Sequence, residues 1–355
     1  MSGAPVVAVD IPSGVDGATG AVEGEAVRAT LTVTFGAAKT GVVLLPGAER
    51  AGTVRVIDIG YPPDLVRADT FLVEPADVVA SLPVRSLDAH KREAVLLVVA
   101  GSRQMTGAPK LIARAAARMG AGLVQVAAPT SALAAIQAGV TEATFLPLPE
   151  TRDGTVGAEA AGALEGTLEG AHALAIGPGL GTDADTAGFV RSVVASCRVP
   201  LVVDADALNA FAGNASGLAA RQADAVITPH VGEFSRMTGV KGRDLVRDRL
   251  RHARELARTT QAVTLLKGSR TVIAEPDGRA RINVTGSPAL ATAGTGDTLT
   301  GMIGGLLACG VPAPDAASSA AYLHGLAGLL AGRGAVAGDL AAMIPAAITH
   351  AEMSA

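Results

Sequence analysis

Short apolar runs alternate with segments of helical periodicity along most of the chain. Apolar runs too short for a helix predict strands, and apolar residues recurring every three or four positions predict helices. From residue 95 onward, the pattern predicts strands at 95–100, 123–127, 173–176, 201–203, 225–227 and 263–266, and a hairpin of 271–274 with 280–284 around Pro276-Asp277-Gly278. It predicts helices at 109–119, 132–138, 185–195, 245–259, 299–308, 314–330 and 339–348. Pro345 should bend or split the last of them. This alternation indicates an α/β fold with a mostly parallel central sheet and helices on both faces.

The first 62 residues have their own pattern of strands, predicted at 5–9, 31–35 and 54–59. The sequence Tyr61-Pro62-Pro63 then breaks the chain. We therefore predict a small N-terminal α/β fragment (1–62), a linker with an entry strand (63–90) and a main domain (91–355). We expect the fragment to contribute little to the core of the main domain.

Composition narrows the function classes. The 355 residues are 49% apolar and 17% charged, which is typical of a packed globular protein. The net charge is −4 without a Lys/Arg cluster, so nucleic acid is not an expected partner. The sequence has neither a signal peptide nor an apolar run long enough to span a membrane. Its two cysteines, Cys197 and Cys309, have apolar neighbours and no metal-ligand spacing, which favours a reducing cytoplasm.

The strongest candidate for chemistry is the segment Gly294-Thr295-Gly296-Asp297 before the helix predicted at 299–308. A glycine-rich loop that leads into a helix presents free N–H groups and the positive end of the helix dipole, which bind anions. A carboxylate there would repel a phosphate, but it could take a proton from a hydroxyl group that attacks the phosphate. The alternative is that Asp297 only caps the helix.

Other polar or glycine-rich loops follow predicted strands or begin helices. Because ligands bind at the carboxyl edge of open α/β sheets, we expect these loops to share that edge. The loop position of His230 favours a functional role over packing in the core. Lys267 ends an apolar strand, which favours contact with a ligand over a position on the surface. We interpret His324 as a packing residue. The loops are Gly101-Ser102, 177–181, 204–209, 230–233 and Lys267-Gly268.

Taken in order, these motifs resemble ADP-dependent NAD(P)H-hydrate dehydratase of the ribokinase-like superfamily, over about residues 72–352. The resemblance rests on Val98-Val-Ala-Gly-Ser102, Thr106-Gly-Ala108, Gly177-Pro-Gly-Leu-Gly181, Val203-Asp-Ala-Asp-Ala-Leu-Asn209, Thr228-Pro-His-Val-Gly-Glu233, Leu266-Lys-Gly268 and Gly294-Thr-Gly-Asp-Thr-Leu-Thr-Gly301. The sequence departs from the family at Met105, where an aromatic residue is usual, and at His90-Lys91-Arg92, which lacks the usual glycine.

The N-terminal fragment resembles the C-terminal part of NAD(P)H-hydrate epimerase, through 7–16, 29–36 and 54–60. The resemblance implies an epimerase site at Asp10 and Ser13. The Gly/Asn-rich loop that precedes this segment in the epimerase family is absent, so we expect a remnant without epimerase activity.

The resemblance also implies the residues of the main site. The hydrated nicotinamide nucleotide would contact Ala108, Gly179, Gly181, His230 and Asp297. The adenine nucleotide would contact Lys267, Gly268, Ser269, Arg270, Thr271, Gly294 and Gly296. Mg²⁺ is expected with the nucleotide, with Asp204, Asp206 and Glu233 as candidate ligands, and the sequence does not choose among them.

The implied reaction uses ADP to phosphorylate the C6 hydroxyl of (6S)-NAD(P)H hydrate, with Asp297 as base, and then eliminates phosphate. The alternatives are a ribokinase-like small-molecule kinase, whose product would keep the phosphate, and a non-catalytic nucleotide-binding protein. We also expect a homo-oligomer, with a separate epimerase as a candidate partner.

Overall fold

Two separate sheets organise the protein in the computed structural model, which describes residues 4–65 and 67–355. A three-stranded parallel sheet is formed by β1–β3, and a ten-stranded sheet has the order β4-β13-β12-β11-β10-β9-β8-β5-β6-β7. The strands are β1 (Val7–Val9), β2 (Leu31–Phe35), β3 (Thr53–Ile57), β4 (Thr70–Leu72), β5 (Val95–Val99), β6 (Leu123–Pro129), β7 (Ala143–Leu148), β8 (Ala173–Ile176), β9 (Leu201–Val203), β10 (Ala225–Ile227), β11 (Val263–Leu266), β12 (Thr271–Ala274) and β13 (Ala280–Asn283).

Fourteen α-helices accompany these strands in the described residues. They are α1 (Thr40–Val43), α2 (Gly47–Ala51), α3 (Pro75–Ser81), α4 (Gly107–Arg118), α5 (Thr130–Gln137), α6 (Ala160–Glu169), α7 (Ala184–Ser196), α8 (Asp206–Asn209), α9 (Val231–Thr238), α10 (Gly242–Arg247), α11 (Arg249–Thr260), α12 (Thr295–Ala308), α13 (Ala313–Ala331) and α14 (Ala337–Ser354). Among the described residues, no helix has both the length and the apolar character that a membrane crossing requires.

The large sheet is buried on both faces, as the continuous apolar runs predict. Every residue of β5 is buried, and its side chains alternate between two apolar clusters. Leu96 and Val98 join the cluster that contains residues of α4, α12, α13 and α14, whereas Leu97 and Val99 join the cluster that contains residues of α7 and α11. The expected mostly parallel sheet with helices on both faces is therefore confirmed; β12 alone pairs antiparallel with both of its neighbours.

The structure differs from the predicted elements in several places. The helix predicted at 245–259 is two helices, because Asp248 between them accepts a hydrogen bond from the Arg251 N–H and so begins α11. The helix predicted to bend or split at Pro345 is assigned as one continuous helix, α14. The elements β7 and α6 were not predicted.

The N-terminal fragment contacts the main domain more than expected. Leu44, between α1 and α2, is only 1% exposed and belongs to the same apolar cluster as Leu97 and Val99 of β5. Every other buried member of that cluster lies at residue 97 or beyond. Leu44 is thus the one described buried residue of the fragment in this cluster, and the small contribution expected of residues 1–62 stays a prediction. The pattern of apolar residues could not show which partner this short helical turn packs against.

Candidate active site

Five parallel strands bring the candidate loops to one edge of the large sheet. The strands β5, β8, β9, β10 and β11 are parallel neighbours, so their carboxyl ends point the same way. The residues that follow them include Gly101, Gly177, Asp204, His230 and Lys267. The candidate loops therefore lie at the same edge of the sheet, as the sequence predicted. The segment Gly294–Asp297 at the start of α12 lies beside them.

A buried ion pair lies at the centre of this edge. The Lys267 Nζ lies 2.7 Å from Asp204 Oδ1 and 3.7 Å from Glu233 Oε2. Burial lowers the pKa of Lys267, but the attraction of Asp204 and Glu233 outweighs it and raises the pKa, so the amine stays charged. Asp204 is 1% exposed, and its Oδ2 accepts a hydrogen bond from Thr300 Oγ1 at 2.7 Å. Three elements, β9, β11 and α12, are therefore joined by one network.

Asp297 is the third residue of α12 and does not cap it. Gly294 occupies the N-cap position with a left-handed φ of 89°, which favours glycine. Among the described residues, no group donates a hydrogen bond to the Asp297 carboxylate. Burial raises the pKa of Asp297 to about 7, helped by the negative charges of Asp204 and Asp206 and opposed by Lys267. The capping alternative is wrong, and the carboxylate at the start of the helix is more basic than an ordinary aspartate.

The residues implied to contact the hydrated nucleotide lie on loops that touch one another. A side-chain carbon on Gly179 would lie 3.1 Å from Met105 Cβ and 3.4 Å from Gly101 Cα. The Gly181 N–H donates to Asp206 Oδ2 at 3.0 Å, and Asp206 in turn acts on the pKa of Asp297. Ala108 is buried in the first turn of α4.

Gly177 and His230 lie in loops that we expected to bind a ligand, and both also have a structural role. Gly177, with φ 134°, allows close approach of the Asp204 carbonyl rather than of a ligand, because a side-chain carbon there would collide with that oxygen. His230 is the N-cap of α9: its Nδ1 accepts from the Gly232 N–H at 2.9 Å, and its backbone N–H donates to Glu233 Oε2 at 2.8 Å. The His230 imidazole is half exposed and can still face a ligand.

The implied adenine-nucleotide residues share a cavity of about 600 Å³. Gly296 lies close to Lys267, since a side-chain carbon on Gly296 would lie 3.6 Å from Lys267 Nζ. Gly294 does not line the cavity; it faces Leu111 of α4 instead. The implied residues that line it are Lys267, Gly268, Ser269, Arg270, Thr271 and Gly296.

The candidate Mg²⁺ ligands do not form a ready-made metal cage. Among the described residues, no three His, Cys, Asp or Glu side chains are grouped as metal ligands. Asp204 and Glu233 lie within 4 Å of the Lys267 amine, whereas Asp206 makes no such ion pair and lies close enough to Asp297 to raise its pKa. This arrangement fits the usual Mg²⁺ mode, in which one or two carboxylates add to the phosphate oxygens of a bound nucleotide.

The N-terminal candidates lie on the small sheet. Asp10 follows β1 with φ 66°, and its Oδ1 lies 2.7 Å from Lys39 Nζ and 2.9 Å from Thr34 Oγ1. The hydrogen bond from Lys39 lowers the pKa of Asp10. Ser13 is exposed, and its carbonyl oxygen accepts from the Val27 N–H at 2.9 Å.

Sequence reasoning missed several residues around the site. Thr300 binds Asp204, and the buried Arg249 donates through Nη2 to the carbonyl oxygens of Leu266 and Lys267, both at 3.1 Å. His324 was interpreted as packing, and it is buried with Nε2 2.9 Å from the Thr295 carbonyl oxygen. Burial lowers the pKa of His324 to about 4, so its ring is neutral, and His324 also lines the cavity of about 600 Å³. One feature of the sequence could have indicated a role for Thr300, namely its position one helical turn after Asp297.

The sheet order and the loop at the start of α12 define a ribokinase-like protein. A ribokinase-like superfamily protein from Enterococcus faecalis has a similar structure, with a TM-score of 0.69 and 25% identity over 81% of this chain and 98% of that one. A family model described as NAD(P)H-hydrate dehydratase matches residues 96–350, and one described as YjeF-related protein N-terminus matches residues 1–41. The chain therefore belongs to the NAD(P)H-hydrate dehydratase family.

Individual relatives agree with this assignment. The bifunctional NAD(P)H-hydrate repair enzyme Nnr of Moorella thermoacetica is 43% identical over 98% of this chain and 67% of its own length. The Salinibacter ruber enzyme of the same name is 43% identical over 96% of this chain and 65% of its own length. The chain thus spans about two thirds of the length of these curated relatives. The Bacillus subtilis ADP/ATP-dependent NAD(P)H-hydrate dehydratase, co-crystallized with ATP/Mg²⁺, has a TM-score of 0.67 and 32% identity over 79% of this chain and 98% of that one.

Proposed function

We propose that the protein repairs (6S)-NAD(P)H hydrate by ADP-dependent dehydration and releases AMP and phosphate. The main support is the unpartnered Asp297 carboxylate with its raised pKa, positioned at the glycine-rich start of α12. The Bacillus subtilis relative, named as ADP/ATP-dependent, supports an adenine nucleotide as the phosphoryl donor.

The first step is phosphoryl transfer. Asp297 takes the proton of the C6 hydroxyl while that oxygen bonds to the terminal phosphorus of ADP and the bond from this phosphorus to the bridging oxygen breaks. The free N–H groups around Gly294–Gly296 and the positive end of α12 stabilise the negative charge of the transferred group. Lys267, beside Gly296, adds positive charge at the same place.

The second step restores the ring. Hydroxide is a poor leaving group, and phosphate is a good one, so the ring nitrogen can now expel phosphate as the C6–O bond breaks. Loss of a proton from C5 then forms the C5–C6 double bond. The overall change removes the C6 oxygen as phosphate and returns NAD(P)H.

A magnesium ion, when bound, would neutralise phosphate charge during transfer. Of the candidate ligands, Asp206 is the residue that would hold it, because Asp204 and Glu233 already face Lys267. Asp297 must stay free to accept the proton. Asp206 is therefore the first residue to test for metal dependence.

The test is incubation of the full chain with NADPH hydrate and either ADP or ATP, with Mg²⁺. We expect the absorbance of the reduced nicotinamide ring to recover, with one phosphate released per ring restored. A stable phosphorylated product without recovery of the ring would instead identify a kinase. Nucleotide binding without any turnover would support the non-catalytic alternative.

A further inference from the structure

The nucleotide cavity has a wall that belongs to the N-terminal fragment. Besides residues of the main domain, Leu45, Ala48 and Glu49 line this space of about 600 Å³. Leu45 directly follows the buried Leu44, and Ala48 and Glu49 lie in the first turn of α2. None of the motifs that suggested the nucleotide site includes these residues.

The packing of Leu44 explains how a short helix holds a fixed position here. Leu44 is fully enclosed by the apolar cluster of the main domain, and its backbone N–H and carbonyl both bond within the fragment, to Thr40 and Ala48. Gly47, at the first position of α2, is packed so closely against the Gly41 carbonyl that a side-chain carbon would collide with it. The segment that lines the cavity is therefore held from both sides.

The chemistry of this wall fits one end of an adenine nucleotide. Leu45 and Ala48 add apolar side chains to the lining, as do Leu290 and Ala291, and apolar surface suits the faces of a purine ring. The Glu49 carboxylate would repel phosphate but can accept hydrogen bonds from an amino group or from ribose hydroxyls. The phosphates suit the part of the lining where the positive charge of Lys267 lies beside Gly296.

We infer that Leu45, Ala48 and Glu49 form the nucleoside end of the adenine-nucleotide site, so that the N-terminal fragment helps to determine nucleotide affinity and specificity. This inference rests on the proposed function for the identity of the ligand. It assigns the fragment a role that is independent of any epimerase chemistry at Asp10.

The principal test is Ala48→Phe in the full chain, which places a ring in the cavity. ADP binding is measured by calorimetry, together with the KM values for ADP and for NADPH hydrate. We expect the ADP Kd and KM to rise about tenfold or more, equivalent to about 1.4 kcal/mol of binding free energy. The KM for the hydrate and the maximal rate at saturating ADP should remain near those of the wild type.

The matched control is Ala37→Phe, which makes the same change at an exposed position of the fragment outside the cavity. It should leave ADP binding unchanged. As a second variant, Glu49→Gln keeps the shape of the side chain and should weaken ADP binding severalfold. Unchanged ADP binding by a folded Ala48→Phe protein would overturn the inference.

A measurement on the wild type covers the case in which Ala48→Phe does not fold. Backbone hydrogen exchange of the segment 44–50 should slow when ADP is added, because a nucleotide that contacts this segment restricts its opening. No change in exchange there, with slowing at 267–271, would place the nucleotide away from the fragment and refute the inference alone. If the wild type binds no ADP at all, the proposed function fails first.

Discussion

Replacement of Asp297 with asparagine separates catalysis from structure at the start of α12. The substitution keeps the shape of the side chain and removes the base. If Asp297 accepts the proton of the C6 hydroxyl, turnover should fall by on the order of 10²–10⁴, the usual contribution of general-base catalysis. Affinity for ADP should hold or rise, because a negative charge near the phosphates is gone.

The same variant should gain stability at neutral pH. In the folded protein the pKa of Asp297 is raised from 3.8 to about 7, so between these values the folded state holds a proton that the unfolded state has lost. The free energy of unfolding therefore falls as the pH rises from about 4 to about 7, by on the order of 4 kcal/mol for three pKa units. Because the residue is partly exposed, solvent screening makes this an upper value. Asparagine does not titrate, so the Asp297→Asn variant should not show this fall in the free energy of unfolding.

The measurements are steady-state turnover of NADPH hydrate with ADP and urea unfolding at a series of pH values between 4 and 8. The wild-type kcat/KM should rise with pH as Asp297 ionises near pH 7. Asp339→Asn is the matched control, since Asp339 is also the third residue of its helix, α14, and it should leave turnover unchanged. Near-wild-type turnover by Asp297→Asn would refute the assignment of the base.

Three further predictions concern the surroundings of the site. Lys267→Met leaves Asp204 buried without its partner and should cost about 3–5 kcal/mol in urea unfolding; a loss below about 1 kcal/mol would contradict the ion-pair geometry. Leu44→Ala should cost about 2–5 kcal/mol in the same assay, whereas a silent substitution would mean that the fragment packs only loosely on the main domain. The chain should not accelerate conversion of the R epimer of NADPH hydrate to the S epimer, because Lys39 holds Asp10 as a weakly basic carboxylate; chiral analysis at short times, with spontaneous conversion subtracted, would reveal any acceleration.

The sequence predicted the sheet and the edge that carries the site because both depend on local patterns. The strands buried on both faces read as uninterrupted apolar runs, and the loops after them contain the polar residues. Two of the elements that the sequence did not predict, β7 and α6, also have a local explanation. The strand β7 contains Pro147, which an edge strand tolerates, and α6 contains Gly162 and Gly166, which weaken a helical pattern.

The roles of individual carboxylates could not be predicted, because they depend on contacts between distant residues. Asp204 and Lys267 are 63 positions apart and meet only because β9 and β11 flank β10 in the same sheet. From the sequence, Asp204 and Glu233 were as suitable for Mg²⁺ as Asp206. The side-chain contacts of Leu44 and of the cavity wall at Ala48 are non-local in the same way.

One network couples the stability of the site to the strength of its base. Asp204 accepts hydrogen bonds from Lys267, which follows β11, and from Thr300 of α12, one helical turn after Asp297. Burial raises the pKa of Asp297 to about 7, and the negative charge of Asp204 adds to this effect, although Lys267 opposes it. A more complete neutralisation of Asp297 by a lysine of its own would stabilise the fold but would make the carboxylate a weaker base. The raised pKa of Asp297 therefore lowers the free energy of unfolding above about pH 4, at the residue that the proposed reaction uses as its base.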